Sequence, residues 1–409
     1  MQTQLAPEFA ATPEGLAAEA ILRKCVHCGF CTATCPTYQL LGDELDDPRG
    51  RIYLIKQVLE GAPPTRSTQL HLDRCLTCRN CETTCPSGVQ YGQLIDIGRQ
   101  IVDAKVPRPL PERAVRWALK EGLTSPLFDS AMQLGQAVRG LLPASVRAKV
   151  PAPEAAGAWP QRAHARKVLL LEGCVQPSMA PGINAATARV LDAVGIQVVI
   201  APEAGCCGAV KLHLSDPGGA LAHMRANIDA WWPQAGSDAV ECIVTNASAC
   251  GATVKDYGHH LQHDPQYAAK AAHISALARD LSELLPDIAA ALQGQLRQLP
   301  QGVVAFHPPC SLQHGQQLRG GVEQHLRALG FDVRLSTNES HLCCGSAGTY
   351  SVLQPQLSEQ LRERKLGHLN ALEPVVITSA NIGCITHLQS GTTTPVQHWV
   401  QVLDAALAG

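Results

Sequence analysis

Along the first hundred residues, apolar positions recur at intervals of three and four. In "RGRIYLIKQVLEG", Ile52, Ile55, Val58 and Leu59 share one face, which is the spacing of an amphipathic helix. "YGQLIDIGRQIV", starting at Tyr91, reads the same way. Between 107 and 150, short helical stretches are cut by Pro107, Pro109, Pro111, Pro126 and Pro143. The segment "PAPEAAGAWPQRAHAR" at 151–166 has no apolar period and reads as a linker. After it the pattern changes. "KVLLLEGC", "ECIVTNASAC", "GVVAFHPPC" and "PVVITSANIGC" are short apolar runs, each leading into a cysteine. "LDAVGIQVVI" and "LRALGFDVRL" each read as a helix end, a glycine stop and a strand. Strands alternating with helices predict α/β units with mainly parallel sheets. The expected fold class is therefore α+β multidomain: an α-helical domain at 1–106, a helical segment and linker at 107–166, and duplicated α/β modules at 167–300 and 301–409.

The duplication rests on landmarks in the second half. Cys174, the pair Cys206-Cys207 before Gly208, and Cys250 recur at nearly one offset as Cys310, the pair Cys343-Cys344 before Gly345, and Cys384. Cysteines that follow strands in this way fall at the carboxyl ends, where α/β folds place ligand sites.

Composition narrows the function classes. The 409 residues are 45% hydrophobic and 17% charged, with a formal net charge of −2. That balance suits packed globular domains and does not point to nucleic acid as a partner. The N-terminal stretch lacks the pattern of a secretory signal, and no run is long enough for a transmembrane segment. The expected location is cytoplasmic, with peripheral contact at the cytoplasmic face of the inner membrane as the alternative. Seventeen cysteines without a secretory signal suggest metal ligands rather than disulfides.

Eight of those cysteines form two runs, "CVHCGFCTATCP" from Cys25 and "CLTCRNCETTCP" from Cys75. Each is C-x2-C-x2-C-x3-C-P, the ferredoxin spacing for [4Fe–4S] clusters, in which the fourth cysteine ligates the other cluster. Cys25, Cys28, Cys31 and Cys85 are thus expected to hold one cluster, and Cys35, Cys75, Cys78 and Cys81 the other. Together with the helical periodicity this predicts an α-helical two-cluster ferredoxin domain. Zinc is the alternative occupant, although it usually takes paired C-x2-C units. In the duplicated half, the repeated cysteines read either as a vestigial or structural site or as ligands, and a candidate third cluster then falls to Cys310, Cys343, Cys344 and Cys384 with His387 as a further donor. Cys174, Cys206, Cys207 and Cys250 form a weaker candidate.

Two ferredoxin motifs followed by two CCG modules resemble the iron–sulfur subunits of respiratory dehydrogenases and the CCG subunits of heterodisulfide reductases. "ELDDPRGRIYLIKQVLEG" at 44–61 and "CGATVKDYGHHLQHDPQYAAKA" at 250–271 are similar to the iron–sulfur subunit family of glycolate dehydrogenase (glycolate oxidase). The resemblance implies flavin-containing partner subunits, with FAD bound only there, that oxidise glycolate to glyoxylate. It also implies that this chain passes their electrons to a quinone-type membrane acceptor. The chain itself shows no G-x-G-x-x-G after a strand, so no catalytic residue for glycolate is assigned to it. The modules depart from the heterodisulfide pattern. Where that family has a fifth cysteine, three residues after Cys250 and Cys384, this chain has Thr253 and His387. Two other readings stay open: the same relay role for glycerol 3-phosphate or lactate, and a CCG-based disulfide reductase.

The remaining features have plainer readings. Cys242 is expected in the core. His259 and His263 read as surface histidines. His307 and His341, near the second module's cysteines, are candidates to tune a cluster. Arg108, Arg113, Arg116 and Lys120 read as a solvated helix face, with a partner or lipid headgroup as the alternative.

Overall fold

The computed structural model describes residues 1–147 and 149–407. The first half is helical. Helix Pro13–Lys24 starts at Thr12, whose hydroxyl accepts from Gly15 N, and buries Ala18, Ile21 and Leu22. Helix Pro48–Leu59 is capped by the Asp47 carboxylate and buries the four positions read from the sequence, Ile52, Ile55, Val58 and Leu59. It crosses helix Tyr91–Lys105 at Gly98, where a Cβ would lie 2.6 Å from Ile55 Cγ1. Only glycine permits that approach without displacing Ile55.

Helices Leu110–Gly122 and Phe128–Ala137 follow. Three of the four residues of the basic stretch are held in ion pairs on the protein itself, and Arg113 is exposed. Arg108 pairs with Asp73 and Asp103, Arg116 with Asp73, and Lys120 with Asp216. Residues 151–164 carry no regular structure. They are tied along the following module by Arg189 Nη1 to Ala158 O at 2.9 Å and His164 Nε2 to Asp192 Oδ1 at 2.7 Å.

The second half consists of two four-stranded sheets. Strands β1 (Arg166–Leu171), β2 (Ile196–Val199), β3 (Ile243–Thr245) and β4 (Ala278–Asp280) form one, in the order β2-β1-β3-β4. Strands β5 (Val304–Phe306), β6 (Val333–Arg334), β7 (Val376–Ser379) and β8 (Val396–His398) form the other, in the order β6-β5-β7-β8. Every pairing is parallel. Along β1 the side chains alternate between two cores. Val168 and Leu170 join a core shared with β5 and β7 of the second sheet, whereas Leu169 and Leu171 pack against helix Pro217–Ala235. In each sheet the winding reverses between the first and third strands. The carboxyl ends of β1 and β3, and of β5 and β7, are therefore the topological switch points. Cys174 and Cys250 follow the first pair, and Cys310 and Cys384 the second.

The modules are joined by helix Pro181–Ala193 lying against helix Trp399–Leu407, by an Arg189–Asp404 ion pair at 2.6 Å, and by His398. The buried His398 ring accepts from Val400 N–H at Nδ1 (3.1 Å) and donates from Nε2 to Asn246 O (2.8 Å). Only the neutral ring can do both, and burial lowers its pKa to about 3. A histidine pKa depressed in the fold means that the unfolded chain takes the proton first, below about pH 6.5. The stabilisation is thus complete above that value and is lost as pH falls towards 3, by up to about 1.4 kcal/mol per pH unit. Denaturant unfolding at pH 7 and pH 5 should show a smaller acid loss in His398→Gln than in the parent. An equal loss would remove His398 as a source.

Candidate functional site

Both cysteine runs adopt the same backbone path. His27 and Thr77, and then Gly29 and Arg79, take left-handed conformations, with φ of 56°, 53°, 83° and 58°. A non-glycine residue there is strained. At Arg79 the guanidinium is anchored by Glu82 at 3.1 Å and Asp256 at 3.2 Å. These reversals curl three thiols of each run inward. The chain then leaves through Phe30–Ala33 or Asn80–Thr84, one helical turn each, so the fourth cysteine is carried away from its own run. Pro36 opens helix Pro36–Leu41 as its first residue.

The thiols meet in two adjoining cavities. One is lined by Cys25, Cys28, Cys31, Cys85 and Cys81; the other is lined by Cys35, Cys75, Cys78 and Cys81. Pro48, Cys81 and Tyr91 line both. The first cavity thus gathers three thiols of the first run with Cys85 and the shared Cys81 of the second, and the other gathers three thiols of the second run with Cys35 of the first. Burial is the main cause raising the Cys31 thiol to about 12 and driving Cys78 and Cys81 far up. Four thiolates can share such a space only with compensating positive charge. The donor type and number fit a [4Fe–4S] cluster in each cavity.

The two cavities differ in their surroundings. Cys28 is exposed, as are Val26 (69%) and Phe30 (61%) on the rim of the first. The thiols of the second are more deeply buried, three of the four fully so, and they are rich in donors to sulfur. Thr77 N–H and Tyr91 O–H both donate to Cys75 Sγ, at 3.4 Å and 3.8 Å, while Thr37 Oγ1 lies 3.2 Å from Cys35 Sγ. Arg51, 1% exposed, donates to His71 O and Thr37 Oγ1, pairs with Asp46, and lies 4.0 Å from Cys35 Sγ. Arg99 secures the adjoining loop through Leu72 O, Cys75 O and Thr77 Oγ1. Sequence reasoning missed Arg51, Tyr91 and Arg99. Their charge or aromatic character was visible, but their aim was not.

The second α/β module packs against this side. Leu76, Cys343, Tyr350 and Leu361 form a small core with Cys78 and Cys310 at its edge. Tyr350 O–H donates to Arg74 O at 3.2 Å, and Thr83 Oγ1 meets His314 Nδ1 at 3.0 Å. After burial, the nearby Cys310 is the next cause raising the Cys78 thiol. The first module touches the helical half through His213–Asp96 at 3.1 Å and Arg79–Asp256.

Within each module the four repeated cysteines converge. Gly208 and Gly345 have φ of 95° and 92°, and their N–H groups reach Cys206 Sγ and Cys343 Sγ, each at 3.4 Å. A Cβ at Gly345 would lie 2.4 Å from Ser358 O, which explains the glycine after the pair. Cys310 Sγ and Cys343 Sγ are 3.8 Å apart, and Cys344 and Cys384 continue the string. Cys174, Cys206, Cys207 and Cys250 form the matching string in the first module.

His387, the donor the sequence offered, joins no metal-sized group among the described residues. His387 Nε2 lies 3.2 Å from both Ser358 Oγ and Ser358 O. The imidazole that reaches the thiols is that of His307, one residue beyond β5. Its ligand atom and those of Cys344 and Cys384 all lie within 4.8 Å of one another. Thr253 donates to Ala249 O within its own helix. Cys242 is buried in the core, its thiol raised to about 11 by burial. His259 meets Gln262, and neither it nor His263 joins a metal-sized group among the described residues. Asp43, Asp46 and His71 do come together, but Asp46 is already paired with Arg51 and Arg74.

Comparison with known proteins finds relatives of both halves of the chain. A 4Fe-4S dicluster domain matches residues 21–89, and a cysteine-rich domain matches 168–255 and again 304–389. Lactate utilization protein A of Geobacillus kaustophilus (strain HTA426) is 27% identical over 58% of this chain and 99% of its own length. The glycolate oxidase iron-sulfur subunit of Escherichia coli (strain K12) is 55% identical over 100% of this chain and 99% of its own length. With that match running from end to end over both cysteine runs and both modules, the chain belongs to the family of glycolate oxidase iron–sulfur subunits.

Proposed function

We propose that this chain relays electrons within a glycolate-oxidising complex, from flavin-bearing partner subunits that form glyoxylate towards a quinone-type acceptor at the membrane. The observation that carries this reading is the pair of adjoining cavities, lined between them by all eight thiols of the two runs. In it, Cys25, Cys28, Cys31 and Cys85 hold one cluster, and Cys35, Cys75, Cys78 and Cys81 the other. Such clusters take up and return single electrons at potentials set by charge, hydrogen bonds to sulfur and exposure. The exposed rim around Cys28 suits the end that meets a redox partner, because the other cavity is covered by the second module. Among the described residues no helix is long and apolar enough to cross a membrane, so contact with the acceptor would be at the surface or through another subunit.

Two-electron oxidation of a 2-hydroxy acid suits a flavin and not single clusters, which assigns the first step to the partners. A lactate-directed relay is the second reading, favoured by the match to Lactate utilization protein A, but that match spans only 58% of this chain. The test is anaerobic addition of glycolate to the chain alone and to the chain with its flavin partners. Iron–sulfur absorbance should bleach only in the complex. Bleaching with the isolated chain, or with lactate and not glycolate, would overturn the assignment.

A further inference from the structure

The second module contains a group that the relay does not use. His307 is 1% exposed, and neither ring nitrogen meets a hydrogen-bond partner among the described residues. A buried imidazole without a partner is costly. The position is not accidental slack, because its backbone is locked: His307 N–H donates to Thr378 O at 2.8 Å, and Ser379 O–H donates to His307 O at 2.9 Å. The ring sits at the switch point between β5 and β7, facing the Cys344 and Cys384 thiols.

We infer that His307, Cys344 and Cys384 bind a single zinc-type divalent cation, with a fourth thiolate from the adjoining Cys310–Cys343 pair. Size is the first argument. Around a tetrahedral zinc, with Zn–S about 2.3 Å and Zn–N about 2.0–2.1 Å, ligand atoms stand roughly 3.5–3.8 Å apart. The three ligand atoms here all lie within 4.8 Å of one another; Cys310 and Cys343, 3.8 Å apart, stand outside that group, so the fourth thiolate would close in as the ion binds. Among the described residues, no three of the eight thiols in the ferredoxin half gather so closely; they stand around open cavities instead. One half is spaced for a cluster and the other for one ion.

Charge is the second argument. Three thiolates and a neutral imidazole on a divalent cation leave one negative charge. Lys365, 2% exposed, donates to Glu339 O and lies beside the Cys344 and Cys343 thiols, where its ammonium would balance that charge. Divergence of the duplication is the third. The residue that follows β1 in the first module, matching His307 after β5, is Glu172, and no metal-sized group is found there among the described residues. Donors of this kind select zinc over hard cations. The ion would pin three segments: the end of β5, the Cys343-Cys344-Gly345 loop and helix Ile382–Gln389. The loop belongs to the wall against Cys78, so the site would brace the second cavity without itself carrying electrons.

Metal analysis of the anaerobically purified full chain tests this. The expected result is one zinc and about eight irons per chain, four for each [4Fe–4S] cluster. His307→Ala and Cys384→Ser should lose the zinc and keep the iron, whereas Cys207→Ser in the first module should keep both. Absence of zinc from the parent, or zinc unchanged in both variants, would overturn the proposal. So would about twelve irons falling by about four in Cys384→Ser, which would place a third cluster there. Should a variant lose iron and zinc together through misfolding, protein produced with cobalt decides. The parent should show the visible bands of tetrahedral cobalt bound to thiolate, and their absence would sink the site. The zinc count is independent of glycolate-driven bleaching, so failure here leaves the relay reading standing.

Discussion

Cys35→Ser is expected to remove about four of the eight cluster irons, and the loss should fall on the cluster of the other run. Cys35 belongs by sequence to the first run, yet its thiol lines the cavity of Cys75, Cys78 and Cys81. Serine's neutral, hard hydroxyl is a poor substitute for a thiolate on iron. The spectroscopic signature of the cluster assigned to Cys25, Cys28, Cys31 and Cys85 should persist, and Cys85→Ser should give the reciprocal loss. Iron analysis together with low-temperature spectra of the reduced protein distinguishes the outcomes. If Cys35→Ser removed the same signal as Cys28→Ser, the crossed assignment would be wrong. Because each cluster joins distant segments, both variants should also unfold more readily.

Arg51→Met should destabilise the helical half by about 3–5 kcal/mol, the range for breaking a buried ion pair from one side. Asp46 is fully buried and would keep only Arg74, at 2.7 Å, and His71, at 3.1 Å. His71 O and Thr37 Oγ1 would lose their donors as well. Removing a cation 4.0 Å from Cys35 Sγ should also lower the potential of the second cluster, since positive charge favours its reduced form. Arg51→Lys keeps the charge without the planar fork, so it should recover more of the potential than of the stability. Loss of visible absorbance against guanidinium, with a redox titration, measures both. A stability change below about 1 kcal/mol, the range of an exposed pair, would show that Arg51 is not a keystone of this half.

Local chemistry was legible in the residue order because local spacing decides it. The C-x2-C-x2-C-x3-C-P runs specify cluster-type ligation and the outward fourth cysteine within a dozen residues. The period of Ile52, Ile55, Val58 and Leu59 specified a buried helix face, and the repeated cysteines specified a duplication of parallel α/β modules. The fifth-cysteine positions of the heterodisulfide pattern also suggested His387, three residues after Cys384, as a donor. They could not show that its ring turns to Ser358. Tertiary structure alone decided the rest, because the remaining partners meet across long separations. His307 reaches Cys344 and Cys384 only once β5 and β7 pair, and Arg51 reaches Cys35 only once helix Pro48–Leu59 docks. Cys78 and Cys310 become neighbours only when the second module closes over the ferredoxin half. Spacing along a chain sets which thiols can share a metal, but burial and charge at the site are set by what packs around them.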